Sequence, residues 1–158
     1  MGAARLSTWH PANLIATWFG VGRLPAAPGT WGSAVTLPLG WILASWLGSV
    51  WLFGAAAIIF AIGWWASDVY AHRNGKKDPG EVVVDEVAGQ LVALAVIPVD
   101  LMYYAAAFVL FRIADIWKPW PGSYAERRFG GGLGIMADDV VAGGYAAIVL
   151  LAVREVMT

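Results

Sequence analysis

The chain has 158 residues, 59% of them hydrophobic and 13% charged, with ten Trp and a net charge of −1. That balance lies well off the soluble average and reads as an integral membrane protein anchored by interfacial aromatic rings, with no electrostatic footprint for nucleic acid. The absence of Cys removes disulfides, thiolate nucleophiles and sulfur-ligated metals, and two His are too few for a histidine metal site or a bis-histidine haem.

The length suits one domain over residues 1–158. Residues 1–9 carry one Arg and no apolar core, so no signal peptide is read there. Pro11 to Gly20 predicts a short helix, too short to span, lying at the interface and ended by glycine. Gly20 to Ser33 predicts a tight, irregular loop, with three Gly before Trp31, two Pro and a Thr-Ser pair. A turn plus an N-cap accounts for it. That is the favoured reading from residue types alone; the second is that its amides and hydroxyls at Gly29, Thr30 and Ser33 hold a phosphate. Trp31 to Leu47 is apolar and interrupted by Pro38, and Gly48-Ser49 is a turn. Val50 to Ala71, about 22 residues, is long enough for a full span.

A polar loop follows, with Asp68, His72, Arg73, Lys76, Lys77, Asp78 and Glu81. His72 reads as an interfacial polar residue and Lys76-Lys77 as a lipid-headgroup contact. Val82 to Ile97 would be ~24 Å long as helix, short of a ~30 Å hydrocarbon core. It holds Asp85, Glu86 and Gln90, so neighbours must shelter it. After Pro98-Val99-Asp100, Leu101 to Trp117 is the next run, closing on Arg112 and Asp115 and followed by Lys118. A loop with Glu126, Arg127 and Arg128 leads to the glycine stretch 130–134, which reads as a flexible loop delivering Asp138-Asp139 to the last helix, Met136 to Val153. Ala142, Gly143, Ala146 and Ala147 permit close packing and place that helix at the bundle centre.

The expected fold is therefore all-α: a polytopic membrane bundle of about six helices, one short and interfacial, five in or across the membrane. Alternation puts nine of the ten Lys and Arg on one side, with only Arg154 opposite, and makes that side cytoplasmic. Nine of the eleven acids gather there too, so Asp85, Glu86, Asp115, Asp138 and Asp139 converge on one face at one depth. Taken singly, each pair has an ordinary explanation: helix caps for Asp85-Glu86 and Asp138-Asp139, an ion pair for Arg112-Asp115. Together, five carboxylates at a membrane edge cannot all stay ionised without a cation. Oxygen ligands without Cys or His suit Mg²⁺ or Mn²⁺, which also bind phosphate oxygens. Arg112, Asp115 and Lys118 fall three apart on one helical face, where Arg112 and Lys118 would grip phosphate.

Four blocks then carry a resemblance. They are Pro25-Ala26-Ala27-Pro28-Gly29-Thr30-Trp31-Gly32-Ser33, Val84-Asp85-Glu86-Val87-Ala88-Gly89, Phe111-Arg112-Ile113-Ala114-Asp115-Ile116-Trp117-Lys118-Pro119-Trp120-Pro121, and Gly131-Gly132-Leu133-Gly134-Ile135-Met136-Ala137-Asp138-Asp139. In this order, over roughly residues 12 to 150, they resemble the phosphatidylglycerophosphatase A family. The resemblance implies a Mg²⁺-dependent phosphatase of the bacterial inner membrane that converts phosphatidylglycerophosphate to phosphatidylglycerol and phosphate, with its site on the cytoplasmic face. It also implies six helices, one of them central and ringed by the others. Asp85, Glu86, Asp115, Lys118, Asp138 and Asp139 match the family's motifs. Glu126 and Arg23 depart from it, and Asp78 resembles a family position. The expected site is then the five carboxylates as metal ligands and catalytic groups, with Arg112, Lys118, Gly29, Thr30 and Ser33 on the phosphate. Attack by water and attack by an Asp are both open.

Rival chemistries leave no trace. Cys-based phosphatases need Cys, and the Lys-x6-Arg-Pro, Ser-Gly-His and Asp-x-Asp-x-Thr/Val motifs are missing, as is the longer acidic run of the CDP-alcohol phosphotransferases. The alternative from another class is a small transporter of divalent cations or anions using the same carboxylates. A conduit needs polar residues through its full depth, and the outward halves (39–51, 93–99, 148–153) are nearly bare of them. No oligomeric state is implied.

Overall fold

The computed structural model describes residues 6–122, 124 and 128–157. Among them are six α-helices with defined bounds and no strand: α1 (Pro11–Ala16), α2 (Pro28–Leu47), α3 (Trp51–Asn74), α4 (Val84–Leu94), α5 (Leu101–Trp117) and α6 (Gly131–Met157). A 3-10 turn covers Val21–Arg23. Glu126 and Arg127 lie outside the described residues.

The central helix is α4, the shortest after α1. It touches α2, α3, α5 and α6. Nine of its eleven residues are buried, including Asp85 and Gln90. A helix this short and this polar at one end is sheltered by four neighbours, as the sequence requires. The last helix is not the centre. Its small residues serve one interface instead: Gly143 of α6 meets Gly89 of α4 backbone to backbone. A Cβ on Gly143 would lie 3.0 Å from the Gly89 carbonyl carbon.

Two boundaries depart from the sequence reading, and both have a tertiary cause. First, α6 starts at Gly131, so the glycine stretch is helix from that residue on rather than loop. Gly132 presses on α3, where a Cβ would come within 2.6 Å of the Asp68 amide nitrogen. Its own amide donates to Asp68 Oδ1 at 3.0 Å, so α3 supplies the cap that α6 lacks locally. Asp138 and Asp139 consequently sit in the third turn of α6 rather than at its cap. Asp68→Ala should lower stability by about 1 kcal/mol and Tm by about 2–4 °C, read by thermal unfolding in detergent. An unchanged Tm would dismiss the cap.

Second, α2 starts at Pro28, a residue suited to the first helical position, and runs through Pro38. The irregular segment therefore ends at Ala27, and Gly29, Thr30 and Ser33 are helical. The first helix stops at Ala16 rather than Gly20. Trp18 and Phe19 take left-handed backbone (φ 45° and 56°) and turn the chain away. The Ala16 carbonyl accepts from the Val83 amide at 2.9 Å, tying α1 to the start of α4.

The ends of the bundle are as expected from alternation. Arg154 donates to the Val96 carbonyl at 3.4 Å, so the end of α6 shares an end with the α4–α5 turn. Asp100 caps α5 there, accepting from the Met102 and Tyr103 amides at 2.9 and 3.1 Å. Helices α3 and α6 are long and apolar enough to cross a membrane. Ile58 and Ile62 on α3, Val109 and Ile113 on α5, and Ile148 and Leu151 on α6 are exposed, an outer surface suited to lipid.

Candidate active site

The opposite end of the bundle opens into a cavity of about 340 Å³. The first turn of α4 brings Asp85 and Glu86, the last turns of α5 bring Arg112 and Asp115, and the third turn of α6 brings Asp138 and Asp139. Lys118 does not stay on the helical face that its spacing predicts. It follows the end of α5 in left-handed backbone (φ 47°), and that turn carries its Nζ to 2.7 Å from Asp138 Oδ2. Arg112 Nη1 bonds Asp115 Oδ2 one turn along and stands 4.0 Å from Glu86 Oε1. The Arg112, Glu86 and Asp115 side chains are each less than one-fifth exposed.

The five acids divide into two groups. Asp115 and Asp138 each hold a base. Asp85, Glu86 and Asp139 cluster instead: a carboxylate oxygen from each lies within 4.8 Å of the other two. Each of these three also has a buried oxygen with no hydrogen-bond partner, namely Asp85 Oδ1, Glu86 Oε2 and Asp139 Oδ2. A buried carboxylate oxygen left unmet is costly, and three in one place call for a shared positive partner. All-oxygen donors of this kind fit a hard divalent cation. Asp85, Glu86 and Asp139 are the residues that would hold such an ion. Arg112 Nε is likewise buried and unmet, a donor on the same side chain that pairs with Asp115.

Of the expected phosphate-binding residues on α2, only Gly29 lines the cavity. A Cβ there would meet Glu86 Cδ at 3.0 Å and Arg112 Nη1 at 3.1 Å, so the lack of a side chain makes room for both. The Ser33 hydroxyl is fully buried and donates to the Gly29 carbonyl at 3.0 Å. Thr30 and Ser33 are not part of the cavity wall. Ala26 and Ala27 enter α2 in left-handed backbone (φ 74° and 49°). With Lys118 they concentrate unfavourable backbone around the cavity, a pattern common at functional sites.

A family model described as Phosphatidylglycerophosphatase A matches residues 14–154. The chain belongs to the phosphatidylglycerophosphatase A family. A Haemophilus influenzae protein named Phosphatidylglycerophosphatase A is 40% identical over 95% of this chain and 93% of its own. An Escherichia coli protein of the same name is 39% identical over 93% of this chain and 86% of its own. A Bacteroides thetaiotaomicron protein, 40% identical over 91% of this chain and 94% of its own, has the provisional name phosphatidylinositol-3-phosphatase. No solved structure matches the chain significantly.

In this phosphatidylglycerophosphatase A family member the cavity wall also includes Lys77 and Asp78 from the α3–α4 loop. Lys77 reads in the sequence as a headgroup contact, because a Lys pair in a polar loop carries no sign of where the loop folds. Arg23 takes no part in the cavity; its Nη2 donates to Asn13 Oδ1 at 2.5 Å in a separate polar pocket. His72 is exposed and stands 3.7 Å from Asp68, outside the cavity.

Proposed function

We propose that this chain is a Mg²⁺-dependent phosphatase that hydrolyses phosphatidylglycerophosphate to phosphatidylglycerol and inorganic phosphate. The observation that carries the metal part is the trio Asp85, Glu86 and Asp139, with an unmet buried oxygen on each. The names of the family and of two relatives support the lipid. Charge supports both. Five carboxylates against Arg112 and Lys118 leave the cavity at −3 by formal count, and a phosphomonoester dianion would be repelled from it. A divalent cation on the trio removes most of that excess.

Asp85, Glu86 and Asp139 would hold the ion. Bound there, it supplies charge neutralisation and Lewis-acid polarisation of the phosphate. The chain's own residues do the rest. Arg112 lines the cavity and offers its guanidinium to a phosphate oxygen, while Asp115 fixes the guanidinium plane. Lys118 adds a point charge beside Asp138. Gly29 leaves the room at the cavity wall that the Glu86 and Arg112 side chains occupy. The lysines and arginines gathered at the cavity end support a cytoplasmic placement, and the bacterial relatives support a bacterial inner membrane; at headgroup depth there, the lipid would be handled without leaving the bilayer.

The test is phosphate release by purified protein in detergent, from phosphatidylglycerophosphate and from phosphatidylinositol 3-phosphate. Release from the first, stopped by EDTA and restored by Mg²⁺, is expected. Release indifferent to EDTA would remove the cation, and preference for the inositol lipid would replace the substrate.

A further inference from the structure

A polar cavity opens on the other side of the α3–α4 loop from the carboxylates. It encloses about 520 Å³, and its wall includes Asn13, Arg23, Tyr70, Asn74, Lys76 and Glu81. Nothing in the proposed chemistry uses it. We propose that it is a binding site for a singly charged phosphate group, of the kind carried by the phosphodiester headgroup of an anionic lipid.

Charge and geometry both point to an anion. Arg23 and Lys76 against Glu81 leave this cavity at +1 by formal count, the opposite sign to the carboxylate cavity. Among the described residues no carboxylate pairs with Arg23; a neutral group holds it instead, with Nη2 donating to Asn13 Oδ1. Asn13 is only 3% exposed, and its own Nδ2 donates to the Ser7 carbonyl at 2.9 Å. A carboxylate in that place would cancel the positive charge. An amide fixes the guanidinium and leaves its charge and its other donors to a ligand. Lys76 and Glu81 stand 3.6 Å apart with both side chains more than two-fifths exposed, a weak pair that an incoming anion can open.

The position suits a lipid. Arg23 follows α1, the short helix expected at the interface, and Lys76 lies in the loop that closes α3. Basic pockets between helices at the cytoplasmic surface are where anionic headgroups bind. A phosphodiester brings one negative charge and balances the +1. One loop also serves both cavities: Lys76 and Glu81 line this one, while Lys77, Asp78, Pro79 and Gly80 line the other. Gly22, beside Arg23, packs on that loop, where a Cβ would lie 2.8 Å from the Glu81 carbonyl carbon. A headgroup joining Arg23 to Lys76 therefore fastens the wall of the carboxylate cavity from behind.

Phosphatidylmethanol is the probe, because it is an anionic phosphodiester with no phosphomonoester to hydrolyse. Native mass spectrometry of the purified protein in detergent should show one molecule retained in preference to zwitterionic phosphatidylcholine. Arg23→Gln should weaken that retention about tenfold, the worth of a charge-assisted hydrogen bond, and Lys76→Gln several-fold. Lys76 is mostly exposed, so Lys76→Gln reads the site even where Arg23→Gln fails to fold. Arg73→Gln, at an exposed position of α3 that lines neither cavity, should leave retention as it is. Bound lipid should also slow hydrogen exchange over residues 75–83 in the wild type and not in Arg23→Gln. Retention unchanged in Arg23→Gln and Lys76→Gln would overturn the proposal. So would an equal loss in Arg73→Gln, which would reduce the effect to surface charge. Loss in Asp139→Asn with Arg23→Gln unaffected would move the lipid to the carboxylate cavity and overturn it too. Inorganic phosphate slowing the same amides through Arg23, where phosphatidylmethanol does not, would uphold the anion site and assign it to the free ion.

Discussion

Asp139→Asn should lower kcat/KM for phosphatidylglycerophosphate about a thousandfold, equivalent to ~4 kcal/mol of transition-state stabilisation. Asp139 is almost wholly buried and contributes one of the three mutually close carboxylates. The amide keeps the shape of the side chain and removes its charge, so the cation loses an anionic ligand while the helix keeps its packing. Removing an uncompensated buried charge does not weaken the fold of the metal-free protein and tends to stabilise it. The expected signature is a lost activity, a raised Mg²⁺ requirement and a Tm no lower than wild type in EDTA. Activity within tenfold of wild type at saturating Mg²⁺ would take Asp139 out of the site. Substitution of Asp138, which already pairs with Lys118, should act differently: it frees the base and costs less in Mg²⁺ affinity.

Gly143→Leu should yield no folded protein in detergent, and Gly143→Ala should lower Tm and most of the activity together. The site of contact decides this. A Cβ on Gly143 would sit 3.0 Å from the Gly89 carbonyl carbon and 3.1 Å from its Cα. Backbone cannot rotate aside, so the helices must part, which costs more than the ~1 kcal/mol a Gly-to-Ala change contributes in a helix. Parting them has a chemical result as well. Asp139 lies one turn before Gly143, and Asp85 and Glu86 lie one turn before Gly89, so the carboxylate trio opens with the interface. Gly144 is the control, with nothing within 4 Å of its Cβ position. Gly144→Ala should hold or raise Tm by the same helical preference. Equal behaviour of the two alanine variants, read by thermal unfolding and phosphate release, would refute the contact.

The charged part of the site is legible in the sequence because charge in an apolar run is informative without any neighbour. Asp85 and Glu86, Arg112 and Asp115, and Asp138 and Asp139 each stand against hydrophobic sequence, and the alternation of helices is enough to bring them to one end. What escapes is whatever depends on a neighbour's surface. The stretch 130–134 reads as loop because glycine weakens helices. It is helix because Gly132 gains a cap and a close contact from α3. The small residues of the last run mark an interface, but only the partner, Gly89, shows that α4 is at the centre. Ser33 looks available to a phosphate, yet its hydroxyl returns to the carbonyl four residues back, the usual fate of a helical serine. Lys77 gives no sign of the wall it joins.

The bond from Gly132 to Asp68 also fixes an angle. A helix turns by about 100° per residue, so the direction in which Asp138 and Asp139 point is set by where α6 is pinned and by how many residues follow the pin. Asp139 comes seven residues after Gly132, almost two whole turns, and the phase is right only for that spacing. One residue more or less between them would swing both carboxylates by about 100° away from Asp85 and Glu86, with every side chain still present. At this end of the bundle the chemistry is encoded in an interval as much as in the identity of the acids.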